Sequence, residues 1–267
     1  MKRTLFPTGL LAACLVSVLL VAGCGGGSSN RPAESPVSAQ GGGDAGRLRA
    51  KVHTELGTAY LEGGQLTVAL DEARIAINSD SSYPLTYNLL GLIHMQMKET
   101  PRAEEHFEQA LRLAPGDPEI NGNMGWFLCQ SGREARSFAH FEAAAKNPLY
   151  ATPARPLVNA GLCASRIKDF KRAEDYLTNA LRLDPAGIDG QYLLADVLYQ
   201  QGRLGEARTR LNDVHRRAEP TAASAWLALR IERKSGDREA ETRWITHLRR
   251  KFADSAEYRK LTQGIFE

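Results

Sequence analysis

Asn121-Gly-Asn-Met-Gly-Trp-Phe-Leu-Cys129 opens a unit that continues one helix later with Ala139-His-Phe-Glu-Ala-Ala144 and closes on Asn147-Pro-Leu-Tyr150. Laid over the residues before it, the unit recurs at a spacing of 34: Gly91 falls on Gly125, Phe107 on Phe141 and Ala110 on Ala144. Each copy places a small residue in the middle of one helix, an Ala and an aromatic or Leu in a second, and Pro near the exit. A helical hairpin of this size cannot bury its own apolar face, so it must stack on its neighbours.

That combination is the signature of the tetratricopeptide repeat (TPR). Followed outward it gives six repeats, at about 50–83, 84–117, 118–151, 154–187, 188–221 and 222–255, with a C-terminal cap from Phe252 to Phe266. The expected fold is all-α: a right-handed TPR superhelix, an α-α solenoid of about twelve helices plus the cap. The first helix of each repeat (helix A) lines the concave face, and the second (helix B) lies outside. Repeat two is the most regular, with Tyr87, Leu90, Gly91, Ala103, Phe107, Ala110 and Pro115 at the expected offsets and Pro84 suited to the first helical position. In repeat three Ser137 replaces the small Ala, and Leu149 stands where Pro is expected. Gly125 to Gly161 spans 36 residues, with Pro148, Pro153 and Pro156 in the interval. Helix B of repeat three is therefore expected to end near Lys146, with a longer connection after it.

Ahead of the repeats the chain carries an address. Lys2 and Arg3 precede the apolar run Leu10–Ala22, too short to span a bilayer convincingly, and the run ends in Val21-Ala22-Gly23-Cys24. Residues 1–23 read as a secretory signal with a lipoprotein processing box, and Cys24 as the lipidation site that becomes the new N-terminus. Several acyl chains, palmitate among them, would make the anchor durable. Gly25 in place of Asp favours the outer membrane, given a two-membrane bacterium. Residues 24–47, rich in Gly, Ser, Pro, Ala and Gln, cannot form a core and read as a flexible lipidated tether. The TPR domain is expected over 48–267.

No catalytic constellation and no metal or cofactor motif stands out. The six histidines lie neither in a His-Glu-x-x-His pattern nor with a cysteine at ligand spacing. His106 and His140 are 34 apart because the repeat is, and both are expected to be exposed. Trp226 and Trp244 read as packing residues. The formal charge of +3 comes without finger spacing, a phosphate loop or aromatic RNA-binding strands, so no nucleic-acid partner is expected. Arg208 to Lys260 holds 14 Lys or Arg against 8 Asp or Glu. This is either solubilising charge or a surface for anionic lipid or an acidic partner.

Cys14 leaves with the signal, and Cys24 is lipidated. Cys129 and Cys163 then remain in an oxidising compartment, at positions 12 and 10 of successive A helices. A disulfide between repeats three and four is expected, with two free buried thiols as the alternative.

The run Asn123-Met-Gly-Trp-Phe-Leu-Cys129, with Ala139-His-Phe-Glu142, Asn147-Pro-Leu-Tyr150 and Asn159-Ala-Gly-Leu-Cys163, closely resembles the type IV pilus biogenesis and stability lipoproteins of the PilF/PilW family. The likeness covers about 48–266 and includes the lipobox. It departs at Gly122 and Met124, where the family pattern is closer to Asn and Tyr, a change that alters local groove shape. The resemblance implies a pilotin: a non-enzymatic outer-membrane lipoprotein, facing the periplasm, that binds the pilus secretin subunit and promotes its outer-membrane localisation and multimerisation. A TPR adaptor for envelope assembly or peptidoglycan-hydrolase complexes is the alternative. The resemblance also implies that Cys24 is the lipidated residue and matches Cys129 and Cys163 to a pair that is disulfide-bonded in some members. A monomer is expected.

In TPR register, positions 2, 5, 9 and 12 of helix A look into the groove. These are Leu85, Asn88, Leu92 and Met95 in repeat two, with Trp126 at position 9 of repeat three. An apolar floor with one amide suits an amphipathic or extended peptide. Repeat one offers only Thr54 and Thr58, so a basic clamp for a C-terminal carboxylate is not expected there.

Overall fold

The structure, a computed structural model, describes residues 39–266. The signal (1–23), Cys24 and residues 24–38 of the tether lie outside the described residues. Among the described residues there are thirteen helices and no strand.

The helices pair as hairpins in chain order. Repeat one is α1 (Ala39–Glu62) and α2 (Leu66–Ser79), repeat two α3 (Pro84–Gln96) and α4 (Thr100–Leu113), and repeat three α5 (Pro118–Gln130) and α6 (Glu134–Lys146). Then follow α7 (Ala154–Arg166) with α8 (Phe170–Leu183), α9 (Ile188–Gln200) with α10 (Leu204–Arg217), and α11 (Ala222–Ser235) with α12 (Arg238–Lys251). The cap is α13 (Ala256–Thr262). The backbones of consecutive first helices approach one another from α1 to α11, whereas consecutive second helices meet only through side chains, as where the Tyr176 hydroxyl of α8 donates to Glu142 of α6 at 2.7 Å. The row of first helices is therefore the shorter, inner one, and the solenoid curves around it.

Local signals set the boundaries. Pro84 and Pro118 occupy the first turns of α3 and α5, where a missing N–H costs nothing. Asp117 accepts hydrogen bonds from the backbone N–H of Glu119 and Ile120 at 2.9 and 3.0 Å, and Thr221 and Ser224 form a capping box on α11. The turn between the two helices of a repeat uses one left-handed residue. Gly64, Gly132, Gly202 and Gly236 take it in four repeats, and Lys98 and Lys168 in the other two.

What holds the hairpins of repeats two, three and four is a close approach that only glycine permits. A Cβ at Gly91 would lie 2.7 Å from the Phe107 ring, one at Gly125 2.8 Å from Phe141, and one at Gly161 2.5 Å from Leu177. Phe107, Phe141 and Leu177 are all fully buried. Beyond the hairpins the core runs on from repeat to repeat: Phe107 packs on Phe127 of the next repeat at 5.3 Å between ring centroids. The largest cluster joins Phe138, Phe141, Leu177, Leu198 and Leu211 across repeats three to five.

Two features differ from, or refine, the sequence reading. Helix α1 begins at Ala39, ahead of the expected start near 48, although Ala50 is the first fully buried residue. Once the packed part of α1 is nucleated against α2, further turns add hydrogen bonds without a new nucleation cost, so the helix runs on past its packing. The two extra residues after repeat three are absorbed between Lys146 and Ala154. There Asn147 Oδ1 accepts from the Leu149 N–H at 2.9 Å while its Nδ2 donates to the Gly116 carbonyl at 3.1 Å. Leu149 consequently faces solvent, 92% exposed.

Candidate functional site

The inner face is built from the same edge of α3, α5, α7, α9 and α11, and side chains stitch neighbouring helices along it. Thr54 and Thr86 hydroxyls share a 2.8 Å hydrogen bond between α1 and α3. Asn123 Nδ2 donates to Asn88 Oδ1 at 3.1 Å between α3 and α5, and Arg166 donates to Gln130 Oε1 at 3.1 Å between α5 and α7.

The expected groove residues fall along the α3–α5 seam and onward. Leu85, Leu92, Met95 and Trp126 are half-buried. Leu92 and Met95 lean on the cluster of Met124, Phe127 and Leu128, and Trp126 on the cluster around Cys129 and Cys163. Asn88 differs from its expected role. It is only 4% exposed, and its amide oxygen is taken by Asn123, so it fastens helix to helix. The polar group on that edge is instead the half-buried Asn123.

Asn123, Tyr150 and Asn159, which belong to the three most distinctive strings of the sequence, converge with Gly122 and Arg155 around one small recess. Gly122 contributes no side chain there, and a Cβ at that position would meet nothing within 4 Å.

The histidine reading is corrected. His106 is half-buried and stacks on His94 with ring centroids 5.1 Å apart; burial lowers its pKa, and His94 adds to the effect. His140 is also half-buried, hydrogen-bonds to Asn121 Oδ1 at 3.0 Å, and has its pKa lowered by burial and then by Arg136. Both sit on the inward shoulder of helix B, one residue before the buried Phe, which turns them toward the first helix of the same repeat. Trp226 packs as expected, 5% exposed and stacked on Phe266 at 5.6 Å, and Trp244 fills the space between the last two clusters.

Cys129 and Cys163 stand on α5 and α7 with Cα atoms 5.9 Å apart and their sulfurs at bonding distance. Both are fully buried, and the Ser137 hydroxyl lies 3.4 Å from Cys163 Sγ.

The groove extends further than the sequence reading took it. The register that yields Leu92 and Trp126 puts Tyr192, Asp196 and Tyr199 on α9, and Trp226, Arg230 and Arg233 on α11. Tyr199, Gln200, Arg230, Arg233, Lys234 and Phe266 line an open recess at this end. Burial raises the pKa of Asp196, with Arg230 acting against the rise, and pushes Tyr192 up to about 12 with help from the Asp196 charge. The offsets alone would have located these residues had they been carried beyond repeat three.

Comparison with known proteins agrees with this geometry. Models of the tetratricopeptide repeat match residues 84–117 and 168–230. The type IV pilus assembly protein PilF of Pseudomonas aeruginosa is 25% identical over 218 residues, covering 81% of this chain and 86% of its own length. The crystal structure of PilW, described as a widely conserved type IV pilus biogenesis factor, matches with a TM-score of 0.75 at 30% identity, over 80% of this chain and 98% of its own. The structure of Pseudomonas aeruginosa PilF matches with a TM-score of 0.72 at 24% identity, over 84% and 99%.

Proposed function

The chain belongs to the family of type IV pilus biogenesis factors that includes PilW and PilF, and on that premise we propose that it is a pilotin. In this reading it is a non-enzymatic lipoprotein, anchored in the outer membrane through Cys24, that holds a pilus secretin subunit against its inner face. The likeness to PilW over nearly the whole of that protein carries the proposal. The inner face supports it with half-buried apolar side chains suited to a peptide. The chain acts as a monomer, with Cys129 and Cys163 joined as a disulfide that ties repeat three to repeat four. Affinity capture from detergent extracts tests the reading. A secretin subunit should be the main partner, and peptidoglycan hydrolases or barrel-assembly components in its place would overturn it.

Cys24→Ser should leave the solenoid folded, because residue 24 lies ahead of the first repeat, yet it should remove the protein from the outer-membrane fraction. Equal recovery of the variant and the parent in that fraction would show that the anchor lies elsewhere. Trp126→Ala should weaken secretin-subunit binding by about tenfold or more, since a partly covered aromatic in a groove supplies much of its affinity. Asn88→Ala, by contrast, strands the Asn123 amide and should lower the melting temperature more than the affinity. A folded Trp126→Ala protein that binds as tightly as the parent would move the contact away from repeats two and three.

A further inference from the structure

The recess at the last two repeats has a volume of about 660 Å³ and is built from stacked rings and cations. The Arg230 guanidinium lies 4.4 Å from the Tyr199 ring centroid, Lys234 Nζ lies 5.1 Å from the same ring, and Arg233 sits 3.8 Å over Phe266. Phe266 in turn rests on Trp226. The charge of Arg233 is committed to Glu241, at 2.8 Å. Arg230 and Lys234 make no ion pair among the described residues, and the Arg230 Nε is buried with no hydrogen-bond acceptor. Asp196, on the neighbouring inner helix, acts on Arg230 through its charge but forms no ion pair with it among the described residues, and its burial works against ionisation.

The end of the Arg230 guanidinium and the Lys234 ammonium meet no carboxylate of the described residues, and a carboxylate is the strongest hydrogen-bond partner of such cations. Stacking on Tyr199 has already restricted both cations, so an incoming anion would not have to order them. The lining also offers the flat faces of Tyr199 and Phe266 for an apolar side chain beside the charge.

We propose that this recess is a carboxylate-recognition site for an acidic peptide segment, with an Asp or Glu of the peptide meeting Arg230 and Lys234 and a neighbouring apolar side chain lying on Tyr199 and Phe266. Its place favours a peptide over a lipid surface. The two cations sit on the inner row of helices, inside the curve of the solenoid, where a planar bilayer makes poor contact. The exposed arginines of α12, Arg249 and Arg250, are better placed for headgroups. The recess shares its face with Leu92, Met95 and Trp126, so one extended segment, apolar at one end and acidic at the other, would follow the groove. The assignment holds whichever pilus component supplies that segment.

Fluorescence anisotropy with the purified full chain tests it, using a dye-labelled peptide of alternating leucine and aspartate, its leucine–asparagine counterpart, and phosphatidylglycerol vesicles. The aspartate peptide should bind about tenfold more tightly than the asparagine one, the size of effect expected of a charge-assisted pair. Arg230→Gln with Lys234→Gln should abolish that preference, and Arg249→Gln with Arg250→Gln, which removes the same charge outside the recess, should keep it. If the Arg230/Lys234 variant fails to fold, Lys234→Glu at its exposed position gives the same readout. Equal binding of the two peptides, or a preference lost equally from the Arg249/Arg250 variant, would overturn the proposal. Vesicle binding without any peptide preference would assign the cations to lipid.

Discussion

Phe141→Ala should lower the unfolding free energy by about 3–5 kcal/mol, the cost of emptying a fully closed aromatic site. The ring is 0% exposed, lies against Gly125 of its own hairpin, and belongs to the cluster that runs from repeat three into repeat six. The void therefore opens in a core that successive repeats share, and in a solenoid the loss of a neighbour contact is felt on both sides. Gly125→Leu attacks the same contact from the other direction, since even its Cβ would need room 2.8 Å from the ring, an overpacking cost of roughly 1–3 kcal/mol or more. Urea denaturation of the two variants and the parent checks both figures. A Phe141→Ala loss of under about 1 kcal/mol would mean that the ring is not the keystone of the hairpin.

The repeats were legible because they rest on contacts between residue types that leave a periodic trace: a glycine under an aromatic or leucine, an alanine at most close crossings, a proline or side-chain acceptor at several helix starts. Even the irregularity after Lys146 could be read, since Pro148 and Pro153 stand between helices and Pro156 is tolerated only in the first turn of α7, so the excess residues had to go between helices. What periodicity does not report is how a given side chain is spent. Asn88 occupies a groove position, but its amide is consumed by Asn123 across the seam, a pairing that depends on the distance between two helices and not on either sequence run. His106 and His140 looked like surface polar residues because they neighbour exposed positions on helix B; the first helix of their own hairpin meets them, through His94 on α3 and Asn121 on α5. The cationic recess escaped for a further reason. Its residues come from α9, α11 and Phe266 beyond α13, and only the packing of Phe266 on Trp226 brings that segment to the groove.

Replacing both Cys129 and Cys163 by serine should destabilise the oxidised protein by about 3–4 kcal/mol, because a bridge across 34 residues removes that much freedom from the unfolded chain in the loop-entropy account. Reductant should destabilise the parent by a similar amount and leave the variant untouched, which separates the bond from the packing of the two side chains. Both cysteines are fully buried, so some of the variant's loss will come from placing hydroxyls in an apolar site, and the parent with and without reductant is the cleaner comparison. A parent whose urea midpoint ignores reductant, with the thiols verified as reduced, would mean that the two cysteines serve only as core residues. The position of the bridge predicts where its loss is felt. As proposed, it would tie α5 to α7 across the one junction where the repeat spacing lengthens and the chain between helices runs from Asn147 to Pro153. Elsewhere a short turn holds neighbouring repeats in register. Here the covalent tie takes over that task, so hydrogen exchange after reduction should rise first along α6 and the Asn147–Pro153 connection, while α3 and α4, packed through Phe107 and Phe127, stay protected.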